Sequence, residues 1–171
     1  MDIKLVNKIK ESIFNEPSEN ELRHRKDVYD DIRIQEFANR LVSRRDCVRN
    51  PDGSYSFQQE VILDDLSMSM FPIKFDTIGR NFDCTECGLI SLKGGPKEVY
   101  GSFNCDINKL KSLYGAPEYV GGDFSCRFNN IKTLDGAPKV VDGDFYCSNN
   151  PTKFTKEDVE KVCKVGGSVW K

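Results

Sequence analysis

Between residues 78 and 150 the apolar positions recur with a period of 21. Phe82, Phe103, Phe124 and Phe145 align, as do Cys84, Cys105, Cys126 and Cys147. Leu89, Leu110 and Ile131 keep the same step, followed by Leu92, Leu113 and Leu134, and then by Val99, Val120 and Val141. Two further slots hold the register: Cys87, Asn108, Asn129 and Asn150 in one, Pro96, Pro117 and Pro138 in the other. Alternation across Phe-x-Cys predicts a short strand with both apolar side chains on one side. Gly-x-Pro then breaks any helix on the return side, and the valine anchors the far wall. No unit can bury its own apolar face, so the units must stack as a solenoid.

The unit Phe-x-Cys-x-x-Asn/Cys-x-Leu-x-Ser/Thr-Leu is a leucine-rich-repeat pattern with Phe and Cys in two leucine slots. Its polar slot falls where the chain leaves the strand, and an amide there can satisfy the main chain of the next coil. A worn unit precedes it: Val61, Leu63, Leu66, Met68 and Phe71 lie one period before Phe82, Cys84, Cys87, Leu89 and Leu92. Phe57 bears the same relation to Ile78.

Upstream, Ile3, Val6, Ile9 and Ile13 predict a helix over 2–14 that Glu16-Pro17 ends. Ser18 with Glu21 opens a second helix. Ile34, Phe37, Ala38, Leu41 and Val42 predict a third, with Asp30 or Asp31 as its cap. Asn50-Pro51-Asp52-Gly53 is a turn signal, so 47–49 and 55–57 should form a hairpin. Downstream, Thr155 with Asp158 starts a helix through Val159, Val162 and Cys163, ended by Gly166-Gly167. That helix would cover the last coil, with Val169 and Trp170 packing on the same edge. The expected fold is therefore α+β: a helical region over 1–46, a hairpin and a leucine-rich-repeat solenoid of about five coils over 47–154, and a C-terminal capping helix and tail over 155–171. Parallel strands would line the concave face, and the convex side would be irregular.

The chain of 171 residues is 38% hydrophobic and 30% charged, which is a globular composition. A net charge of -2 selects no class of partner. No apolar run is long enough to span a bilayer, so no membrane association is expected. Of seven cysteines, four follow the period and a fifth fills the amide slot, which predicts reduced thiols and a cytoplasmic setting.

Outward strand positions should form a mostly acidic grid on the concave face. They include Asp83, Asn104, Asp106, Asp123, Ser125, Arg127, Asp144 and Tyr146, and Ile107 and Phe128 lie just before the amide slot. Ile107, Phe128 and Tyr146 are expected to form one apolar cluster in an acidic field, a pattern suited to gripping a protein. The alternative is that Phe128 tucks under its own loop and the polar residues only solubilise the strands. Arg40, Arg44, Arg45 and Arg49 are the one basic concentration, suited to phosphate contacts or to a helix C-terminus with Asp46 and Asp52 as partners. Cys84-x-x-Cys87 lacks two further converging ligands, so no metal site is expected. His24 cannot be paired with a nucleophile and an orienting group, so neither catalysis nor a cofactor is expected.

The units at 103–117 and 122–130 resemble the repeat of small leucine-rich-repeat proteins encoded by large tailed bacteriophages. Entry through Asn50-Pro51-Asp52-Gly53-Ser54 and Phe71-Pro72-Ile73-Lys74-Phe75 is similar, as is the exit at Phe154-Thr155-Lys156-Glu157-Asp158-Val159. The likeness spans roughly 32–165 and departs from the pattern at Cys87, Leu66 and Arg80. It implies a compact solenoid in the cytoplasm of an infected bacterium, and no activity. Together with the acidic face it leads to a non-enzymatic binder that occludes a host or anti-phage defence protein bearing a basic patch. The alternatives are a nucleic-acid-associated regulator using the four arginines, and a structural or assembly protein. The oligomeric state is left open.

Overall fold

The computed structural model describes residues 19–63 and 67–171. The predicted helix over 2–14, Ser18 and the worn-unit residue Leu66 lie outside the described residues. The chain divides into two units, Met1–Ile32 and Arg33–Lys171. Helix α1 (Glu19–Val42) is continuous where two helices were expected. No Gly or Pro interrupts 19–42, and an Asp within a helix costs only a few tenths of a kcal/mol, about 0.7 at most, so Asp30-Asp31 does not stop it. In the second unit its final turns bury Ala38 and Leu41, with Ile34 and Phe37 against the core.

β1 (Cys47–Arg49) and β2 (Tyr55–Phe57) form the expected antiparallel hairpin. Gly53 takes φ +80 in its turn and donates to the Asn50 carbonyl at 3.0 Å. From there the chain winds as a β-solenoid of roughly five turns. Each turn contributes one strand to each of two sheets. β3 (Val61–Ile62), β5 (Phe82–Asp83), β7 (Phe103–Asn104), β9 (Phe124–Ser125), β11 (Phe145–Tyr146) and β13 (Val169–Trp170) form a six-stranded parallel sheet. β4 (Phe75–Ile78), β6 (Glu98–Val99), β8 (Tyr119–Val120), β10 (Val140–Val141) and β12 (Lys164–Val165) join the hairpin in a second, seven-stranded sheet.

The expectation of an irregular return side is therefore corrected. Gly-x-Pro prevents a helix there, but the chain that follows is extended and its main-chain groups need partners. The same residues one coil earlier supply them: Tyr100, Gly121 and Asp142 N–H groups donate to the carbonyls of Ile78, Val99 and Val120 at 2.8–2.9 Å. Val99, Val120 and Val141 are fully buried beneath this sheet.

The core is a set of ladders. Phe82 and Phe103 stack at 5.4 Å and Phe103 and Phe124 at 5.6 Å, while Phe124 and Phe145 meet at 4.9 Å with their planes tilted by 39°. Each ring is fully buried, contributing about 1.5–3 kcal/mol relative to exposure. Beside them the thiols of Cys84, Cys105 and Cys126 donate to the carbonyls of Asn104, Ser125 and Tyr146 in the following coil, at 3.2–3.4 Å.

The amide ladder runs, with its direction reversed from expectation. Asn108 Oδ1 accepts from Leu89 N–H at 2.9 Å and its Nδ2 donates to the Cys84 carbonyl at 2.8 Å, both in the preceding coil. Asn129 and Asn150 repeat this toward Leu110 and Ile131. Cys87 cannot accept in that way, and the Met68 N–H that would need it donates to the Cys87 carbonyl instead, at 2.8 Å.

α2 (Lys156–Glu160) starts at the predicted Thr155–Asp158 capping box. It is shorter than expected, leaving Val162 exposed, while Val159 and Cys163 are buried in the core. The chain then resumes the solenoid. Val140-Val141 pairs with Lys164-Val165 and Phe145-Tyr146 with Val169-Trp170, at a step of 24 rather than 21. The three extra residues make room for the helical turn, and strand pairing, not helix extension, satisfies the backbone beyond it.

Candidate functional site

On the outer side of the six-stranded sheet, strand register sets out parallel rows. One row reads Ile62, Asp83, Asn104, Ser125, Tyr146 and Trp170. The row two residues later contains Thr85, Asp106, Arg127 and Ser148, and the row after that Glu86, Ile107, Phe128 and Asn149.

Two predicted contact residues are not surface groups. Asp106 is 4% exposed and Ser125 8%. Asp106 accepts from Ser125 Oγ at 2.6 Å, from Arg127 N–H at 2.7 Å and from Arg127 Nε at 2.8 Å, and pairs with its Nη2 at 2.7 Å. A buried carboxylate requires this many donors. Asp106 and Ser125 are thus a scaffold that fixes Arg127, not part of a free acidic grid.

A second cross-coil ladder occupies the bend before each strand. Asn81 Oδ1 accepts from Ser102 N–H, Ser102 Oγ from Asp123 N–H, Asp123 Oδ1 from Asp144 N–H and Asp144 Oδ1 from Ser168 N–H, at 2.7–3.0 Å. A Cβ on Gly101, Gly122 or Gly143 would collide with the capping atoms of the preceding coil, which is why glycine precedes Ser102, Asp123 and Asp144, whereas Arg80 precedes Asn81 in the first capping coil. The repeated Gly-Ser/Asp dipeptide is the sequence signal for this ladder. Asp123 and Asp144, expected as outward positions, also cap the following coil. Asp83 and Asn104 cap locally, toward Thr85 N–H at 2.9 Å and Asp106 N–H at 3.1 Å.

The row Glu86, Ile107, Phe128 and Asn149 adopts left-handed backbone, with φ between 53 and 57. Asn tolerates that region; a β-branched residue rarely does, and the cost is about 1–2 kcal/mol. Ile107 is nevertheless 49% exposed and Phe128 53%. The alternative in which Phe128 is tucked away does not hold.

Tyr146 does not align with these two residues. It lies in the row of Ser125, three positions before that of Phe128. Its ring stacks on Trp170 at 6.2 Å and carries the Arg127 guanidinium at 5.4 Å. The single expected cluster is two groups, one of Ile107 and Phe128 and one of Arg127, Tyr146 and Trp170. Burial, followed by the bond to Asp144, pushes the Tyr146 hydroxyl above its ordinary pKa.

Ion pairs occur on both sheets. On the seven-stranded side Lys97 pairs with Asp76 at 2.7 Å, and Lys139 with Glu118. On the six-stranded side the ion pair is Arg127 with Asp106. Among the described residues, Asp83, Glu86, Asp123 and Asp144 have no cationic partner. The Ser168 N–H and then the Trp170 indole hold the Asp144 carboxyl below the usual carboxylate range.

The four arginines are dispersed in role. Arg44 makes two bonds to Asp46 at 2.7–2.9 Å, reaches the Glu60 carbonyl at 2.8 Å and covers the Phe57 ring. Arg40 lies over Phe37 at 5.3 Å. Arg45 and Arg49 are exposed. Burial raises the Cys84, Cys105 and Cys126 thiols well above their ordinary pKa, with Cys147 and Cys163 pushed up to about 11. Among the described residues no helix is long and apolar enough to cross a membrane. No protein-family model, curated protein or solved structure matches the chain.

Proposed function

We propose that this protein is a non-enzymatic binding module of the leucine-rich-repeat type, with the six-stranded face as its contact surface for another protein. The observation that carries the reading is the placement of Ile107 and Phe128. Two large apolar side chains stand half-exposed on successive coils, at backbone positions that penalise them. Strain together with exposure is what a binding role would maintain against stability. Arg127, Tyr146 and Trp170 add the residue types that dominate interface energetics. On this reading the protein acts by occlusion. The likeness to phage repeat proteins makes a host or anti-phage defence protein in the bacterial cytoplasm the proposed target.

A nucleic-acid role for the N-terminal arginines is less favoured, because Arg44 is committed to Asp46, Glu60 and Phe57. The test is affinity capture from bacterial lysate with the wild type, with a Phe128→Asp, Tyr146→Ala double variant, and with nuclease treatment. A protein held by the wild type, lost with the variant and indifferent to nuclease supports the reading. Capture that depends on nucleic acid and ignores the variant overturns it. Phe128→Ala should weaken capture with little change in the melting temperature, since its side chain is half-exposed and strained where it stands.

A further inference from the structure

We infer that the partner on the six-stranded face is a basic segment that lays an arginine on the outer face of Trp170. The inference rests on the protein-binding reading above and names the chemistry of the occupant. β13 is the terminal strand of its sheet. Strand order places Arg127 and Trp170 on opposite sides of Tyr146, so guanidinium, phenol and indole form one stack. The stack ends at the sheet edge in an indole that is 52% exposed.

That indole is held, not loose. Asp144 Oδ2 accepts from Trp170 Nε1 at 2.9 Å and from the Tyr146 hydroxyl at 3.2 Å. Its Oδ1 is fixed by Ser168 N–H at 2.7 Å. A carboxylate therefore sits at the edge of the ring that terminates the stack, with Asp123 one coil behind it and neither neutralised by a cation. Tryptophan is the strongest cation–π acceptor, and the carboxylates add attraction of the same sign. A planar guanidinium can stack on the ring while directing N–H groups to carboxylate oxygens; an ammonium cannot do both. An arginine from the partner would extend the alternation that Arg127 begins. On the seven-stranded side Lys97 and Lys139 neutralise Asp76 and Glu118, and the rings there are tyrosines, weaker cation–π acceptors than an indole.

Trp170 is the only tryptophan in the chain, so its emission reports this site alone. The full chain is titrated with a blocked Gly-Arg-Ala-Arg-Gly peptide, its lysine counterpart and its glutamate counterpart, at low and at high salt. The expected result is a saturable change in emission with the arginine peptide, about fivefold weaker binding for lysine, no response to glutamate, and weakening by salt. Asp144→Asn, which keeps the Ser168 cap but loses the acceptor for the Trp170 indole, should lower arginine-peptide affinity about fivefold with a small fall in melting temperature. Equal responses to all three peptides, or none, overturn the inference. So does emission that changes with protein concentration alone, which would assign the indole face to a second copy of this chain. If capture depends on Phe128 while Trp170 ignores arginine, the binding reading survives and this inference fails. If Trp170 responds and capture ignores Phe128, only the anchoring role given to Phe128 is wrong.

Discussion

Replacing Asn129 with alanine removes four hydrogen bonds, but their loss is not equally severe. The Cys105 carbonyl keeps a bond from Asn108, the Cys126 carbonyl one from Asn150, and the Arg127 carbonyl one from Ile107 N–H. Only the Leu110 N–H, whose acceptor is Asn129 Oδ1 at 3.1 Å, is left orphaned in the core. An unsatisfied buried donor costs about 1–3 kcal/mol, and the three weakened carbonyls with the small void bring the total to about 3 kcal/mol. For a chain of this length that lowers the melting temperature by about 6–12 °C. Urea titration followed by circular dichroism measures the free energy, and a thermal scan measures the temperature. Asn129→Asp sharpens the test, because it keeps the acceptor for Leu110 and turns an oxygen toward three carbonyls. It should cost at least as much as alanine. A loss below about 0.5 kcal/mol for Asn129→Ala, within the range of an ordinary surface change, would refute the ladder as a source of stability.

Other outcomes follow from the same geometry. Ile107→Asn relieves about 1–2 kcal/mol of left-handed strain, which should offset the half-burial it loses; stability should hold or rise in urea titration while partner capture falls, and a loss above about 1 kcal/mol would contradict the strain argument. Because the folded-state pKa of Asp144 is depressed, its stabilisation is fully present above the ordinary value of 3.8 and is lost as pH falls through the lower folded value. Trp170 emission should therefore shift only below pH 3.8 in the wild type, and Asp144→Asn should remove that transition. The thiols behave in the opposite sense: their raised folded pKa values predict declining stability as pH climbs past the ordinary value of 9.0. In alkylation followed by mass spectrometry, half-buried Cys47 should label first and the six buried cysteines only on unfolding.

The sequence by itself determined the solenoid and nearly all of its core. A 21-residue repeat of Phe, Cys, Leu and Val can bury those positions only by stacking like on like, so periodicity dictates register: Phe82 beside Phe103 and Val99 beside Val120 follow from counting. Turn and cap chemistry was equally local, as at Gly53 and at Thr155 with Asp158. What only the tertiary structure decided depends on groups brought together across coils. The buried Asp106–Ser125–Arg127 network joins residues up to a full period apart, and each of them alone looks like an exposed polar strand position. The second sheet arises because extended return segments need main-chain partners, a demand that no side chain advertises. The final strands were hidden by the step of 24, which takes Trp170 out of the repeat's count while backbone pairing brings it beside Tyr146. Side-chain period encodes which residues stack; where each outward side chain finds its charge and ring partners is settled only when neighbouring coils close over one another.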